Sequence, residues 1–394
     1  SPNGNVVVGG TQDNNTVKIE SDGFSGSKGR QLLGGDGFYA EISNLKPSVF
    51  FFESQNAAFN RDGIQRSNEN GSNPEGMFSE YLLDPQFPDI NNPDNIFRDN
   101  GFDVDQRNRY TRIYQFNTPF SLWEEGNDTL TADSIVFTSD TSVILKAGKV
   151  KNPDPELANL YANDDEHFNE LGNNRFQARV DISQFPGDTV EVRSENGIFF
   201  DFVLPNGLGV SENVKVQDIK QSKFVMAIRN EIWLTTDALN FTKTPTWHRI
   251  ADNTGLGTPT SIDFSEDGRS VIVAGYDRGQ GKVIRIDSLR QVDYTAQNAN
   301  DEFNPSAEGV EFSSIRTFNN VATGVTFGPK NKSKVLVTLG NYGVPDHVYY
   351  SDNFMDSSQN VTFTNVTANL PAMPVYDALF HANNSDTVLI GTEF

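Results

Sequence analysis

The chain lacks cysteine altogether, which excludes disulfide scaffolds and any thiolate chemistry. Histidine is also scarce, and its four residues do not have the spacing of metal ligands; they are His167, His248, His347 and His381. With no cysteine and only scattered histidines, a zinc site is not expected. No apolar run is long enough to span a membrane, and no signal peptide is recognisable.

The chain has few positively charged residues. It contains 31 Lys and Arg residues and 53 Asp and Glu residues, so its net charge is −22. Such a charge argues against nucleic acid and against an anionic membrane as partners. It is compatible with divalent cations or neutral glycans. The length of 394 residues is too great for one small domain, but a single large β architecture could hold most of it.

What the chain does contain is a repeated pattern of short apolar runs and polar turns. The clearest copy spans 323–353, and others cover 261–286, 376–391 and, more weakly, 38–67. The runs are rich in Val, Thr, Phe and Tyr, and Gly, Pro, Asn or Asp bounds each of them. This pattern is typical of consecutive antiparallel strands.

A repeated unit of three or four strands predicts an all-β fold, namely a β-propeller of about seven blades with long loops. Packing blades against one another supplies the partner surfaces that a single small sheet lacks. We divide the chain into a first part of the propeller at 1–144, an inserted or atypical β segment at 145–215, and the remaining blades at 216–394.

The two ends of the chain suggest that it is a piece of a longer protein. A strand is predicted at 6–8, almost at the start, and another at 388–390, in the middle of a repeat. Unpaired strand edges invite aggregation unless they are covered. We therefore expect these two strands to belong to the same blade or to neighbouring blades.

Several short motifs in series resemble the sialidase-like propellers, also called BNR or Asp-box propellers; they lie at 9–14, 34–38, 66–71, 365–375 and 391–394. In that family the Asp box, Ser-x-Asp-x-Gly-x-x-Trp, is a structural turn between outer strands. Degraded copies occur here at 67–71, at 235–237 with Phe241, and at 351–353. The resemblance covers the chain ends and 220–394 well, and the middle poorly.

The resemblance is strongest to large exported propeller proteins of Gram-negative bacteria that leave the cell by type IX secretion. It implies an extracellular or cell-surface location, reached across the outer membrane with a periplasmic stage. It also implies a non-enzymatic recognition or assembly module, or a passenger or component of the secretion system. The expected partners are proteins of the bacterial envelope or of the secretion machinery, with glycans as further candidates.

The alternative function is a secreted glycoside hydrolase that acts on polysaccharide. A true sialidase is disfavoured, because the family's Arg-Ile-Pro motif is missing and the nearest string, Arg112-Ile113-Tyr114, has no proline. Other propeller glycosidases use two carboxylates across a cleft. Asp13 and Asp36 lie in loops that could share one rim, and they are the candidate pair. The competing interpretation is that both residues cap tight turns.

No cofactor is expected. The Asn- and Asp-rich stretch at 84–105 offers oxygen ligands for calcium, but its spacing fits no EF-hand, and Asx-rich turns explain it better.

The glycine-rich stretch at 23–37 is predicted to be a loop. A strand rather than a helix follows it, so it does not predict a phosphate site.

Overall fold

A computed structural model describes the larger part of the chain, and every statement about structure below concerns those residues. They are 6–20, 29–55, 64–77, 116–131, 134–138, 143–144, 149–150, 169–170, 176–177, 179–180, 189–203, 213–294 and 303–392. Within these ranges the regular structure is β-strand, and none of the residues belongs to a helix long and apolar enough to cross a membrane.

Thirty strands lie in these ranges. The first eight are β1 (Val6–Thr11), β2 (Asn15–Glu20), β3 (Gly29–Leu33), β4 (Gly37–Ile42), β5 (Phe50–Ser54), β6 (Ile64–Ser67), β7 (Glu75–Gly76) and β8 (Phe120–Glu125). The next nine are β9 (Ser134–Thr138), β10 (Val143–Ile144), β11 (Lys149–Val150), β12 (Asn169–Glu170), β13 (Phe176–Gln177), β14 (Arg179–Val180), β15 (Thr189–Arg193), β16 (Phe199–Val203) and β17 (Asn213–Gln217). The remaining strands are β18 (Gln221–Ile228), β19 (Glu231–Thr235), β20 (His248–Ala251), β21 (Thr258–Phe264), β22 (Val271–Asp277), β23 (Gln280–Asp287), β24 (Glu311–Phe318), β25 (Ala322–Gly328), β26 (Asn331–Leu339), β27 (Val348–Ser351), β28 (Thr364–Asn365), β29 (Val375–His381) and β30 (Asn384–Thr392).

The strands form two compact units. The first unit comprises Ser1–Glu124, Lys223–Ala238 and Thr242–Phe394. It is built on four-stranded antiparallel sheets with the orders β4-β5-β6-β7, β8-β18-β19-β20, β21-β22-β23-β24 and β25-β26-β27-β28. The sheet β1-β2-β3 and the hairpin β29-β30 complete it. Several four-stranded antiparallel sheets in succession confirm the predicted all-β, propeller-like fold class.

The second unit comprises Glu125–Ser222 and Leu239–Phe241, so most of it lies in sequence between β8 and β18. Its strands form small sheets with the orders β9-β17, β10-β14, β12-β13 and β11-β15-β16. Most of the predicted inserted segment at 145–215 falls outside the described residues, and its boundaries stay a prediction.

Both faces of β22 are buried over residues 271–275, which explains the continuous apolar run of this strand. Val271 and Val273 of β22 pack into one cluster, together with side chains of β18 and β19. Ile272 and Ala274 of the same strand pack into another cluster, with side chains of β25 and β26. Because side chains alternate between the faces of a strand, each residue of β22 has a neighbouring sheet to pack against.

Hydrogen bonds from side chains join the first strands of successive sheets. Thr260 Oγ1 in β21 donates to Ala322 O in β25 at 2.7 Å. Thr323 Oγ1 in β25 donates to Val375 O in β29 at 2.5 Å. The Tyr39 hydroxyl in β4 donates to Thr260 O at 2.7 Å. These bonds hold the first strands of four sheets in contact.

The structure departs from the sequence analysis at several places. The strand β8, the first strand of its sheet, lies at Phe120–Glu125, where the sequence analysis assigns no strand. The loop predicted at 23–37 contains β3, which pairs with β2. The strands at 6–8 and 388–390 lie in different sheets, because β1 pairs with β2 and β30 pairs with β29. This excludes the same blade, and their place in neighbouring blades stays a prediction.

Candidate functional site

Acidic side chains occupy the first strands of four sheets. Glu41 lies in β4, Glu124 in β8, Asp263 in β21 and Asp377 in β29. We refer to these four as the first-strand carboxyl groups. Burial of a carboxyl group in a sheet interior disfavours its charged form, so the environment of each one matters.

Two of the first-strand carboxyl groups accept hydrogen bonds from backbone amides of another sheet, whereas Asp377 accepts one from its neighbour Ala378 N at 2.9 Å. Asp263 Oδ2 accepts a hydrogen bond from Phe327 N at 2.8 Å and another from Thr326 Oγ1 at 3.2 Å, both on β25. Glu124 accepts hydrogen bonds from the turn that follows β4, where Asn44 N lies 2.5 Å from its Oε2. These bonds connect one sheet to the next.

Glu53 on β5 is a further acidic residue and is fully inaccessible to solvent, whereas Glu41, Glu124 and Asp263 are half-buried and Asp377 is exposed. Its two oxygens accept from Tyr39 N at 3.1 Å and from Thr118 N at 3.1 Å. Burial raises the pKa of Glu53 well above its ordinary value, and these two amide bonds counteract the rise. The Glu53 carboxyl group therefore serves as a structural hydrogen-bond acceptor for the backbone at Tyr39 and Thr118.

Glu41 differs from the others because it makes no hydrogen bond to any residue that the structure describes. Burial raises the pKa of Glu41 to about 8, and the charges of Asp263 and Glu124 add to the rise. Burial also raises the pKa of Asp263, to about 6. Burial raises the pKa of Asp377 as well. Glu41 is therefore largely protonated at neutral pH and can donate a proton or a hydrogen bond.

We expect the stability of the protein to fall as the pH rises from about 4.5 to about 8, and we expect Glu41→Gln to reduce that fall. The unfolded chain releases the Glu41 proton near the ordinary pKa of 4.5, whereas the folded chain keeps it up to about 8. The folded state therefore binds more protons than the unfolded state in this pH range. As the pH rises through the range, the free energy of unfolding decreases. Melting temperatures of both proteins between pH 5 and pH 9 measure the effect.

Glu69→Gln provides the control. Glu69 is exposed and accepts a hydrogen bond from Asn73 Nδ2 at 2.7 Å, which a glutamine oxygen can also accept. Its melting curve should follow the wild type at every pH. If Glu41→Gln melted no higher than the wild type at pH 8, a Glu41 that keeps its proton in the folded state would be excluded.

The structure brings the candidate pair Asp13 and Asp36 together at one turn. Asp36 Oδ1 accepts a hydrogen bond from Asp13 N at 2.6 Å, and Asp13 has a left-handed backbone with φ of 64°. Asp13 lies in the turn between β1 and β2, and Asp36 directly precedes β4. This contact is that of a side chain capping a turn. A catalytic role for the pair stays a prediction.

Three of the histidines lie among the described residues. His248 packs against Tyr294 and Phe303, with ring centroids 5.5 and 5.1 Å away, and burial lowers its pKa to about 4. His347 is fully buried, and its Nδ1 lies 3.1 Å from Leu339 O. Among the residues described, no three His, Asp or Glu side chains come together in a way that could hold a metal ion.

The three degraded Asp-box motifs occupy the same place in their sheets. Ser67 ends β6, Thr235 ends β19 and Ser351 ends β27, and each of these is the third strand of a four-stranded sheet. Each motif therefore forms the turn that leads to the fourth strand.

Side-chain oxygens hold these turns together. Ser67 Oγ accepts from Gly71 N at 3.1 Å. Asp237 Oδ1 accepts from the hydroxyl of Thr235 at 2.6 Å and from Thr246 N at 3.0 Å. In the last copy an asparagine takes the place of the aspartate, and Asn353 Oδ1 accepts from Thr362 N at 3.0 Å.

Sequence reasoning missed the first-strand carboxyl groups, although a signal was present. One acidic residue interrupts the apolar pattern in each of the predicted strands 38–42, 261–264 and 376–381. A charged residue recurring in the same strand of several repeats indicates a shared environment. By contrast, the calcium candidates at 84–105 and the Arg112-Ile113-Tyr114 string lie outside the described residues.

No family model and no curated protein matches the chain. Solved structures with similar coordinates include a GH74 xyloglucanase from Xanthomonas campestris, at 9% identity and a TM-score of 0.43, which covers 98% of this chain and 41% of that one. A protein of unknown function from Desulfotomaculum acetoxidans is similar at 11% identity and a TM-score of 0.31, over 98% of this chain and 84% of that one. The chain thus spans less than half the length of the xyloglucanase.

Proposed function

We propose that this chain is a non-enzymatic, propeller-like recognition or assembly module of an exported bacterial protein, and that it contacts a protein partner through the exposed face of the hairpin β29-β30. The observation that carries the proposal is the concentration of exposed apolar side chains on strands near the two chain ends. Among the residues that the structure describes, eleven large apolar side chains are exposed, and six of them lie there: Val7, Ile19, Tyr376, Leu379, Leu389 and Ile390.

The β29-β30 hairpin has one covered face and one bare face. Ala378 and Phe380 of β29 are buried, and they pack in a cluster with Leu336 and Val348 of the neighbouring sheet. Leu379 and Leu389 pair directly across the two strands, and they are 53% and 61% exposed. Because paired residues point to the same side, these two leucines form an apolar patch on the opposite face.

An apolar patch on a rigid sheet is typical of a protein interaction site. In our proposal, a partner protein of the envelope or of the secretion machinery binds at this patch. The chain's net charge of −22 keeps such a module soluble while the patch is free.

The location proposed for the module is the cell surface or the exterior, after export across the outer membrane. The resemblance to Asp-box propellers supports it, and so do the hydrogen-bonded turns at Ser67, Thr235 and Ser351.

We expect the double variant Leu379→Glu/Leu389→Glu to lose a protein partner that the wild type retains. Two carboxylates in the centre of a contact patch must be desolvated without partners, which opposes association. Photo-cross-linking at the neighbouring His381, in cells of the source bacterium, followed by mass spectrometry, measures the change.

The matched control is Phe312→Glu/Val366→Glu, which changes two apolar residues of similar exposure, 43% each, on β24 and beside β28. It should retain the cross-linked partner. Identical cross-links in the wild type and the hairpin variant would contradict the proposal. Cross-links of the chain only to itself would show that a second copy covers the face.

The alternative, a glycoside hydrolase, is favoured by one observation, the raised pKa of Glu41 beside the Asp263 carboxyl group. A carboxyl group that stays protonated near neutral pH is what a glycosidase needs as its acid. Asp263, however, already accepts two hydrogen bonds from β25. Release of reducing sugar from β-glucans or sialosides, lost in Glu41→Gln and kept in Glu69→Gln, would replace our proposal with this alternative.

A further inference from the structure

A polar cavity of about 310 Å³ opens in the first unit, beside the outer strands of the β21–β24 sheet. Its lining includes four cationic side chains, Arg269, Arg285, Arg290 and Lys332, and two carboxylates, Asp287 and Glu311. The lining therefore carries more positive than negative groups, although the net charge of the whole chain is −22. An excess of cations in one concave site of an acidic protein needs an explanation.

Arg285 is held rigidly at the wall of the cavity. It is only 6% exposed, its Nε donates to Asp287 Oδ2 at 2.6 Å, and its guanidinium lies 5.6 Å from the centre of the Phe354 ring. Its Nη1 donates to the carbonyl oxygens of Phe354 and Asp356. Nη2 makes no hydrogen bond to any described residue, so it remains free for a ligand.

Arg290 is fixed by a second aromatic ring. Its guanidinium lies 5.5 Å from the centre of the Trp123 ring, and its Nη1 donates to Asp267 O at 3.2 Å. Trp123 itself packs against Gly268, where a Cβ atom would come within 2.3 Å of the ring. A glycine at that position therefore allows the tryptophan to support the arginine.

Two of the carboxylates at or beside the cavity, Asp287 and Asp267, are already engaged. Asp287 accepts from Ser270 Oγ at 2.7 Å in addition to its bond with Arg285. Asp267 lies 3.0 Å from Lys332 Nζ and 3.9 Å from Arg269 Nε, so a single carboxylate is shared between two cations. Four cationic side chains thus face three carboxylates at and beside the cavity.

We propose that this cavity binds an oxyanion, namely the carboxylate, sulfate or phosphate group of a small ligand or of one sugar unit. Planar guanidinium groups bind such anions through paired N–H donors, and two arginines whose orientation is already fixed lose little entropy on binding. The volume lies at the lower end of the range for small-molecule sites, which fits one charged group and its carrier rather than a long chain. The proposal does not depend on the function proposed for the hairpin face.

Titration of the purified protein with inorganic phosphate, inorganic sulfate and glucuronate, each at constant ionic strength, tests the proposal by calorimetry. The wild type should bind at least one of the three saturably with one site per chain. The double variant Arg269→Gln/Lys332→Gln should bind about tenfold more weakly or worse. These side chains are 42% and 32% exposed, so the fold should tolerate the change.

The control is Arg316→Gln/Lys334→Gln, which removes the same charge from β24 and β26 outside the cavity. Its affinity should stay within about twofold of the wild type, since distant charges are screened by salt. Should the first double variant fail to fold, Arg290→Gln alone provides the same comparison.

The three anions also distinguish between the kinds of ligand that could carry the charged group. Preference for glucuronate assigns the cavity to an acidic sugar unit, and preference for phosphate or sulfate assigns it to a small anion. Absence of saturable binding for all three up to about 50 mM would overturn the proposal. An equal loss of affinity in both double variants would overturn it as well, because the binding would then reflect overall charge.

Discussion

Replacement of Phe224 by alanine is expected to lower the free energy of unfolding of the first unit by about 3–5 kcal/mol. Phe224 on β18 is fully buried, and its ring centroid lies 5.0 Å from that of Phe51 on β5 and 4.9 Å from that of Phe120 on β8. It therefore joins two successive sheets through aromatic contacts. Removal of the ring leaves a cavity that rigid strands cannot close.

Chemical denaturation followed by tryptophan fluorescence measures this loss, because Trp247 lies 6.0 Å from Phe224. Phe224→Leu, which keeps much of the volume, should cost less than about 1.5 kcal/mol. Phe312→Ala, at a residue that is 43% exposed, should change stability by less than about 0.5 kcal/mol. Equal losses for Phe224→Ala and Phe312→Ala would show that the cluster does not join the sheets.

Strands such as β22 and β26 could be predicted from the sequence because both features that define them are local. Their apolar runs are continuous, and Gly275 and Gly340 mark where those runs end. The strand β8 could not be predicted in the same way, because Pro119 precedes it and acidic residues end it. Its place beside β18 depends on pairing across about a hundred residues, which no local pattern shows.

The sites also differ in whether the residues that form them are close together in the sequence. The turns at Thr235 and Ser351 are local, and their resemblance to the Asp box implied a position between outer strands. The cations of the cavity come from three separate segments, namely Arg269 before β22, Arg285 and Arg290 at the end of β23, and Lys332 on β26. An overall charge of −22 argues against anionic partners, but charge averaged over a chain does not describe one cavity.

The second large effect is expected at Arg66, whose replacement by alanine should lower the free energy of unfolding by about 3 kcal/mol. Arg66 on β6 is 1% exposed, and its two terminal nitrogens donate to Ala238 O and Lys243 O at 2.7 Å each. Its Nε donates to Glu75 Oε1 at 2.9 Å. One side chain thus connects the β4–β7 sheet to the segment after β19.

Alanine at position 66 leaves the buried carbonyl oxygen of Ala238 without this donor, in a place that water does not reach. A buried acceptor without a partner destabilises the folded state by its full desolvation free energy. Arg66→Lys keeps the charge but not the fork of N–H groups, so it should recover only part of the stability. Arg30→Ala is the control, because Arg30 is exposed and donates to Ser72 Oγ at 3.2 Å. If lysine restored the whole stability, charge rather than the paired carbonyl contacts would hold this segment to the sheet, and the geometric account would be wrong.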